Sequence, residues 1–314
     1  MAHLIETMAY ANAVPWHGLG NNINADSTIE DWQRQSGLDW TVSKRPVRFG
    51  DFDWDTSGLK TFKDKFVLAR DTDNTPFSVV SDRYKPVQPK DVLEFFRDLI
   101  ATHGMTIETA GSLKDGKRIW ALAKTGDAHK VLGSDLVDSY LLLATSYDLT
   151  FSTLAQFTSV RVVCNNTLQQ SLKDYISRVS IPHFRDFNAT DIHEQLGLGR
   201  AQWGAFSQAL DAIAKIKLDS AKAKEVLGKV FVAPEKDITY VDPQVEKILR
   251  LFEGKAIGAD IAGQTGWGLV NAVTEYADHH KRARSQGNRL DNAWFGTTAN
   301  IKDAVFHEVL ELTS

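Results

Sequence analysis

The chain has 314 residues, 43% hydrophobic and 24% charged, and its 36 Lys and Arg against 40 Asp and Glu give a formal net charge of −4. That balance excludes a disordered chain and a blanket polycation, so any nucleic-acid contact must come from a local groove or loop. Cys164 is the single cysteine, which excludes an internal disulfide framework and a multi-cysteine zinc or iron–sulfur site, and with neither a membrane-length apolar run nor a signal-peptide pattern at the start, a reducing cytoplasm is the expected setting.

Residues 1–37 read as an irregular arm followed by a short helix at 27–36, which opens on a Ser/Thr cap and acidic residues. From residue 38 the period shortens. Segments 39–49, 65–70 and 76–81 are rich in β-branched and aromatic residues and predict a three-strand meander, with DTDNT as the turn between the last two. PKDVLEFFRDLIATHG is a helix with Pro89 at its start, Val92, Phe95, Phe96 and Leu99 on one face and Gly104 as its stop. Strands follow at 105–113 and 117–124, joined through Asp115-Gly116, then at 138–147 and 152–163. After Cys164 the composition turns helical, beginning with NNTLQQSLKDYI, with one more short strand at 178–181. Helices fit 189–217, 219–231, 243–254, 266–284 and 298–312, and 232–242 is the best hinge. The expected fold class is α+β: an antiparallel sheet with a β-β-β-α unit in the N-terminal half and a helical C-terminal half, divided as 1–37, 38–186 and 187–314.

The motifs that announce catalysis or a cofactor are absent from the sequence. No GxxxxGK[ST] loop occurs, and Gly197, Gly199 and Gly204 miss the dinucleotide spacing, so no nucleotide cofactor is expected. Asp51, Asp53 and Asp55 begin like a calcium loop, but Thr56 stands where glycine is needed and Phe62 where a bidentate glutamate is needed. None of the nine histidines forms HExxH, and His279 and His280 point about 100° apart on a helix, so no metal is expected. There is no GxSxG elbow, and Cys164 reads as a small core residue.

Basic residues interleaved with aromatics carry a different signal, because they combine phosphate pairing with base stacking. Arg83-Tyr84-Lys85 and Lys117-Arg118-Ile119-Trp120 show that interleaving, and Lys44, Arg45 and Arg48 form a third cluster. Strand alternation alone would also bury Tyr84 and Trp120 and turn their basic neighbours outward. Arg161 sits in an apolar strand and calls for a carboxylate or phosphate partner. On the wheel of TGWGLVNAVTEYADHH, Leu269, Val270, Val273, Tyr276 and Ala277 make an apolar arc opposite Asn271, Glu275, Asp278, His279 and Arg282. Lys281, Arg282, Arg284 and Arg289 follow as a second basic arm.

ETMAY…PWHGLG, DRYKPVQ, ETAGSLKDGKRIWALAK, YLLLATSYD, FTSVRVVCNNTL, TGWGLVNAVTEYADHH and LDNAWFG, in that order, resemble the phage/plasmid-like protein family of uncharacterised function. The resemblance implies a protein encoded by phages, prophages or plasmids and acting in the bacterial host; it brings no catalytic residues. More remotely, element order resembles single-strand annealing proteins of the Red-beta and Erf type, which assemble into rings or filaments.

The expected function is single-stranded nucleic-acid binding, extending to ATP-independent strand annealing in recombination, by a homo-oligomer with single-stranded DNA as partner. Lys44, Arg45, Arg48, Arg83, Lys85, Lys117, Arg118 and Arg161 would hold phosphates, Tyr84 and Trp120 would stack, and the basic arm would assist. Two alternatives stay open: a module that binds a phage or host replication or recombination protein, and an enzyme with a site near Trp16, His17, Asn271, Glu275 and His279.

Overall fold

The computed structural model describes residues 5–12, 18–50, 58–161, 166–169, 178–196, 200–231, 242–282 and 292–313. The Thr28 hydroxyl accepts the Asp31 amide N–H at 3.1 Å and donates to the Asp31 carboxylate, so α1 (Ile29–Gln35) starts at a capped turn and turns Ile29 and Trp32 inward. Ahead of it, β1 (Ile5–Tyr10) pairs antiparallel with β6 (Thr106–Leu113) and parallel with β2 (Asn21–Asn22). The segment expected as an irregular arm therefore supplies a sheet strand; its alternation is masked because the segment is buried on both sides, with Met8, Ala9, Tyr10 and Ala11 all in the interior.

The meander is present as β3 (Val42–Phe49), β4 (Lys60–Arg70) and β5 (Pro76–Ser81), a small antiparallel sheet in that order. β4 starts five residues earlier than its apolar pattern suggests, since its first half is exposed and polar. Helix α2 (Pro89–His103) begins with a Gln88–Asp91 capping box and ends at Gly104, whose φ of 66° is the left-handed stop that glycine permits. Its inward residues Val92, Phe95, Phe96 and Leu99 pack between the small sheet and the main one, against Leu68, Val80, Ile107, Ala121 and Leu141.

The main sheet continues as β7 (Arg118–Val131), β8 (Asp135–Ser146), β9 (Thr153–Arg161), β10 (Asn166–Gln169) and β11 (Arg178–Ile181), in the order β10-β9-β8-β7-β6-β1-β2, with β11 also alongside β9. β7 and β8 extend into a second hairpin that closes through Leu132 and Gly133, both at positive φ. Residues 166–169, expected to open a helix, instead hydrogen-bond along β9; ladder pairing overrides a weak local helix preference.

Helices α3 (Ala189–Leu196), α4 (Arg200–Lys215), α5 (Ser220–Phe231), α6 (Pro243–Arg250), α7 (Ala259–Ala262) and α8 (Gly266–Glu275), with a C-terminal helix Thr297–Glu311, make the second half. α6 and α8 each run on into a π turn, Leu251–Lys255 and Tyr276–His280. The helical core closes over the far ends of β7, β8 and β10 through Val131, Val137 and Leu168. No described helix is long and apolar enough to cross a membrane.

Candidate functional site

The basic residues singled out in the first half divide into paired and unpaired groups. Arg45 reaches Asp71 at 3.4 Å, Lys85 reaches Asp186 at 2.7 Å, Arg118 reaches Asp148 at 3.3 Å, and Lys44 donates to the Asp82 carbonyl at 2.6 Å. Arg118 is 8% exposed, and its guanidinium lies over the Phe151 ring at 5.4 Å, so it props up a neighbouring loop and does not offer a free charge. Lys117 is half-buried at the β6–β7 turn, its carbonyl accepting the Tyr147 N–H. Arg48 and Arg83 are exposed, and among the described residues no carboxylate lies within ion-pair distance of either.

The two aromatics expected to stack on bases are corrected by their burial. Trp120, 1% exposed, packs edge-on against Trp294 with ring centroids 5.8 Å apart, and Tyr84, 7% exposed, donates its hydroxyl to the Ser146 carbonyl at 3.2 Å. Burial also pushes the Tyr84 phenol well above its ordinary range. Trp120 is a core side chain of β7, in a stretch buried on both faces, and Tyr84 is buried in the turn that follows β5. Arg161 lies at the end of β9, with its side chain outside the described residues, as are Trp16, His17, Cys164, Arg284, Arg289 and the calcium-like Asp51, Asp53 and Asp55.

Around Arg83 the fold brings three separate segments together. The turn after β5, the loop between β8 and β9 and the turn after β11 enclose an open groove of about 630 Å³, lined by Ser81, Arg83, Tyr84, residues 149–152 and residues 182–184. Its floor is built in layers: Tyr84 stacks on His183 at 4.7 Å, and Phe151 stacks on Phe295 at 4.7 Å. His183 Nε2 lies 3.2 Å from the Phe151 carbonyl, and burial holds its imidazole below the ordinary 6.5. Phe184 and Leu149 stand on the rim, 61% and 51% exposed. Sequence spacing could not find this groove, because YDLTFS and IPHFR come together through the pairing of β8 and β11 with β9, and DRYKP joins them from a different sheet through Tyr84–Ser146 and Lys85–His183 hydrogen bonds.

A second feature adjoins the groove. Beyond β5, the β3–β4 hairpin projects as a two-stranded arm with Arg48, Phe49, Lys60, Phe62, Lys63 and Lys65 all exposed. Phe49 stands opposite Lys60, and Phe62 follows on the same face, its ring 6.1 Å from that of Phe49. Residues 62–65 bulge opposite Val47 alone, with Asp64 at φ 57°, and this re-aims the arm where it leaves the sheet. Lys65 pairs with Ser81, a groove residue, so the arm's base runs into the groove wall. Among the described residues, Lys60, Lys63 and Lys65 have no ion-pair partner. In sequence Asp51, Asp53, Asp55 and Asp64 offset the four cations Arg48, Lys60, Lys63 and Lys65 across 48–65, with Asp51, Asp53 and Asp55 outside the described residues.

The polar face expected on α8 is corrected as well. Asn271, Glu275 and Asp278 are buried: Asn271 donates to the Trp267 carbonyl at 2.8 Å, Glu275 accepts the Ile257 N–H at 2.8 Å, and Asp278 pairs with buried Lys302 at 2.8 Å. These groups tie helices together from within the core. Lys281 is half-buried, and burial lowers its pKa, while Arg282 is exposed. A family model described as a domain of unknown function, DUF932, matches residues 76–294, more than half of the chain and inclusive of every groove segment. Neither the curated proteins nor the solved structures yield a match.

Proposed function

This chain belongs to the DUF932 family, and we propose that it binds single-stranded nucleic acid along the base of the β3–β4 arm, as a phage- or plasmid-encoded protein acting in the bacterial cytoplasm. The observation that carries this reading is that Arg48, Lys60, Lys63 and Lys65, around the exposed Phe49–Phe62 pair, have no ion-pair partner among the described residues, when the neighbouring Arg45, Lys85 and Arg118 are each held by a carboxylate. Phosphates need the first and unstacked bases the second; base–aromatic stacking contributes about 1–3 kcal/mol per base. A duplex hides its base faces, so this arrangement favours a single strand. Strand annealing by a homo-oligomer, which needs no nucleotide hydrolysis, would extend this binding.

Fluorescence anisotropy of a labelled oligothymidylate over a salt series tests the binding. Four neutralised phosphates would give a slope of log K against log salt of about −3. Lys60→Glu with Lys63→Glu should flatten that slope by roughly half, and Phe49→Ala with Phe62→Ala should weaken binding while leaving the slope in place. Absence of binding at low salt, or binding indifferent to salt, sinks the reading.

A further inference from the structure

We infer that the groove beside Arg83 is a nucleotide-sized site that takes a phosphate at the Arg83 guanidinium and lays the attached base against the Phe184–Leu149 rim. The ligand class rests on the nucleic-acid reading, but the site itself stands on separate residues from the arm. Arg83 is the one permanently charged side chain on the lining, which holds no carboxylate, so the groove favours an anion. Ser81, Thr150 and Ser152 add hydroxyls on the same lining. His183 stays neutral near pH 7, because burial holds down its pKa, and contributes a flat stacked wall without a second charge. The cavity of about 630 Å³ falls within the roughly 300–1,000 Å³ of small-ligand sites.

The rim is held open by its backbone. Leu149 adopts φ 62°, a region uncommon for a residue with a Cβ, and is 51% exposed there. Asp148 fixes that turn: its carboxylate accepts the Thr150 N–H at 3.2 Å and the Thr150 hydroxyl, and it also pairs with Arg118 at 3.3 Å. The buried Arg118 thereby positions the loop that presents Leu149, which explains why a cation is buried at the start of β7. Strain of this kind, kept in place by surrounding bonds, concentrates at ligand clamps. Phe184, 61% exposed on the facing turn, supplies a second apolar surface.

Titration calorimetry with deoxyadenosine 5′-monophosphate, deoxyadenosine and inorganic phosphate, each alone, tests the site on the full chain. The nucleotide should bind saturably and more tightly than either fragment. Arg83→Ala should weaken it by roughly tenfold or more through loss of a charge-assisted bond, and Phe184→Ala should weaken nucleotide and nucleoside alike. The arm variant Lys60→Glu/Lys63→Glu should bind the nucleotide like the unaltered chain. No saturable nucleotide binding, or binding untouched by Arg83→Ala, overturns the inference. The two proposals fail separately: nucleotide binding without strand binding removes the arm reading alone, and salt-dependent strand binding without nucleotide binding removes the groove alone.

Discussion

Arg70 shows how much one buried side chain holds together. Its guanidinium forms a two-pronged pair with Glu6 at 2.7 and 2.9 Å, donates to the Asp115 carbonyl at 2.9 Å, and lies 4.8 Å from the Trp40 ring centre, joining β4, β1 and the β6–β7 turn. Glu6 is itself exposed and Arg70 also lies 3.7 Å from Asp73, so solvent and a second carboxylate screen the loss, and Glu6→Ala should cost about 1 kcal/mol in urea unfolding, whereas Arg70→Met with Glu6→Leu should recover much of it. Equal loss in the single and double variants would show that the pair's charge is not the reason. Asp115-Gly116 was legible as a turn from the sequence alone, yet its second role was not. A Cβ on Gly116 would sit 2.4 Å from the Arg70 guanidinium, a constraint set by a residue 46 positions away. His183 adds a pH dependence at this scale. Its folded pKa lies below 6.5, so the unfolded chain takes up the proton first as pH falls. The stability from keeping it neutral is complete above 6.5 and is lost as pH drops through the lowered folded value. The urea midpoint should therefore fall between pH about 7.5 and about 5.5, and His183→Phe, which keeps the stack on Tyr84, should shrink that fall. An unchanged fall would assign it to other groups, with His193, also lowered by burial, first among them.

Among the elements, α8 explains the TGWG signature. Thr265 caps the helix by accepting the Gly268 N–H at 3.0 Å, and the first turn is pressed onto neighbouring backbone. A Cβ on Gly266 would lie 2.6 Å from the Ile213 carbonyl oxygen, and one on Gly268 only 2.0 Å from that of Gly263. Gly268→Ala should therefore destabilise by about 2–3 kcal/mol, against the usual gain for such a change in a helix interior. Thermal unfolding decides the sign, and a stabilised variant would mean that the α7–α8 turn yields. The helix was legible from its period, but its polar arc reads as solvent-facing only if one side of the helix is free. Here α4, α6, β10 and the C-terminal helix surround it, and its polar groups bond to one another and to backbone. Hydrophobic period reports which residues need burial; it does not report that polar ones are left outside. The same gap explains β1 and residues 166–169, whose pairing partners lie far away in sequence. The small meander, α2 and the Asp115-Gly116 hairpin were legible because their signals are local: alternation, a capping proline, a glycine stop and a turn dipeptide.

For the whole molecule, the two candidate surfaces differ in their relation to the core and to the family. The groove is built from three segments inside residues 76–294 and floored by rings that also belong to the sheet's packing. The β3–β4 arm precedes that region, and its distal half contributes no buried residue among those described. A surface that carries no core is removable, and a surface floored by core is not. Replacing residues 48–63 with Asn-Gly would leave Pro46 opposite Phe66 and close the strands through a five-residue loop of Val47, Asn, Gly, Asp64 and Lys65. The melting temperature of that variant should stay within a few degrees of the unaltered chain, since exposed polar segments contribute little to stability. Its affinity for a single strand should fall, while nucleotide binding in the groove should persist. The acidic residues that link β3 to β4 in sequence sharpen the expectation further: Asp51, Asp53 and Asp55 repel phosphate at long range, so converting all three to Asn should raise strand affinity several-fold at low salt and have a shrinking effect as salt increases and the screening length falls toward about 8 Å. If the triple substitution leaves strand binding unchanged at every salt concentration, the strand does not pass near the arm, and the cations at its base have another purpose.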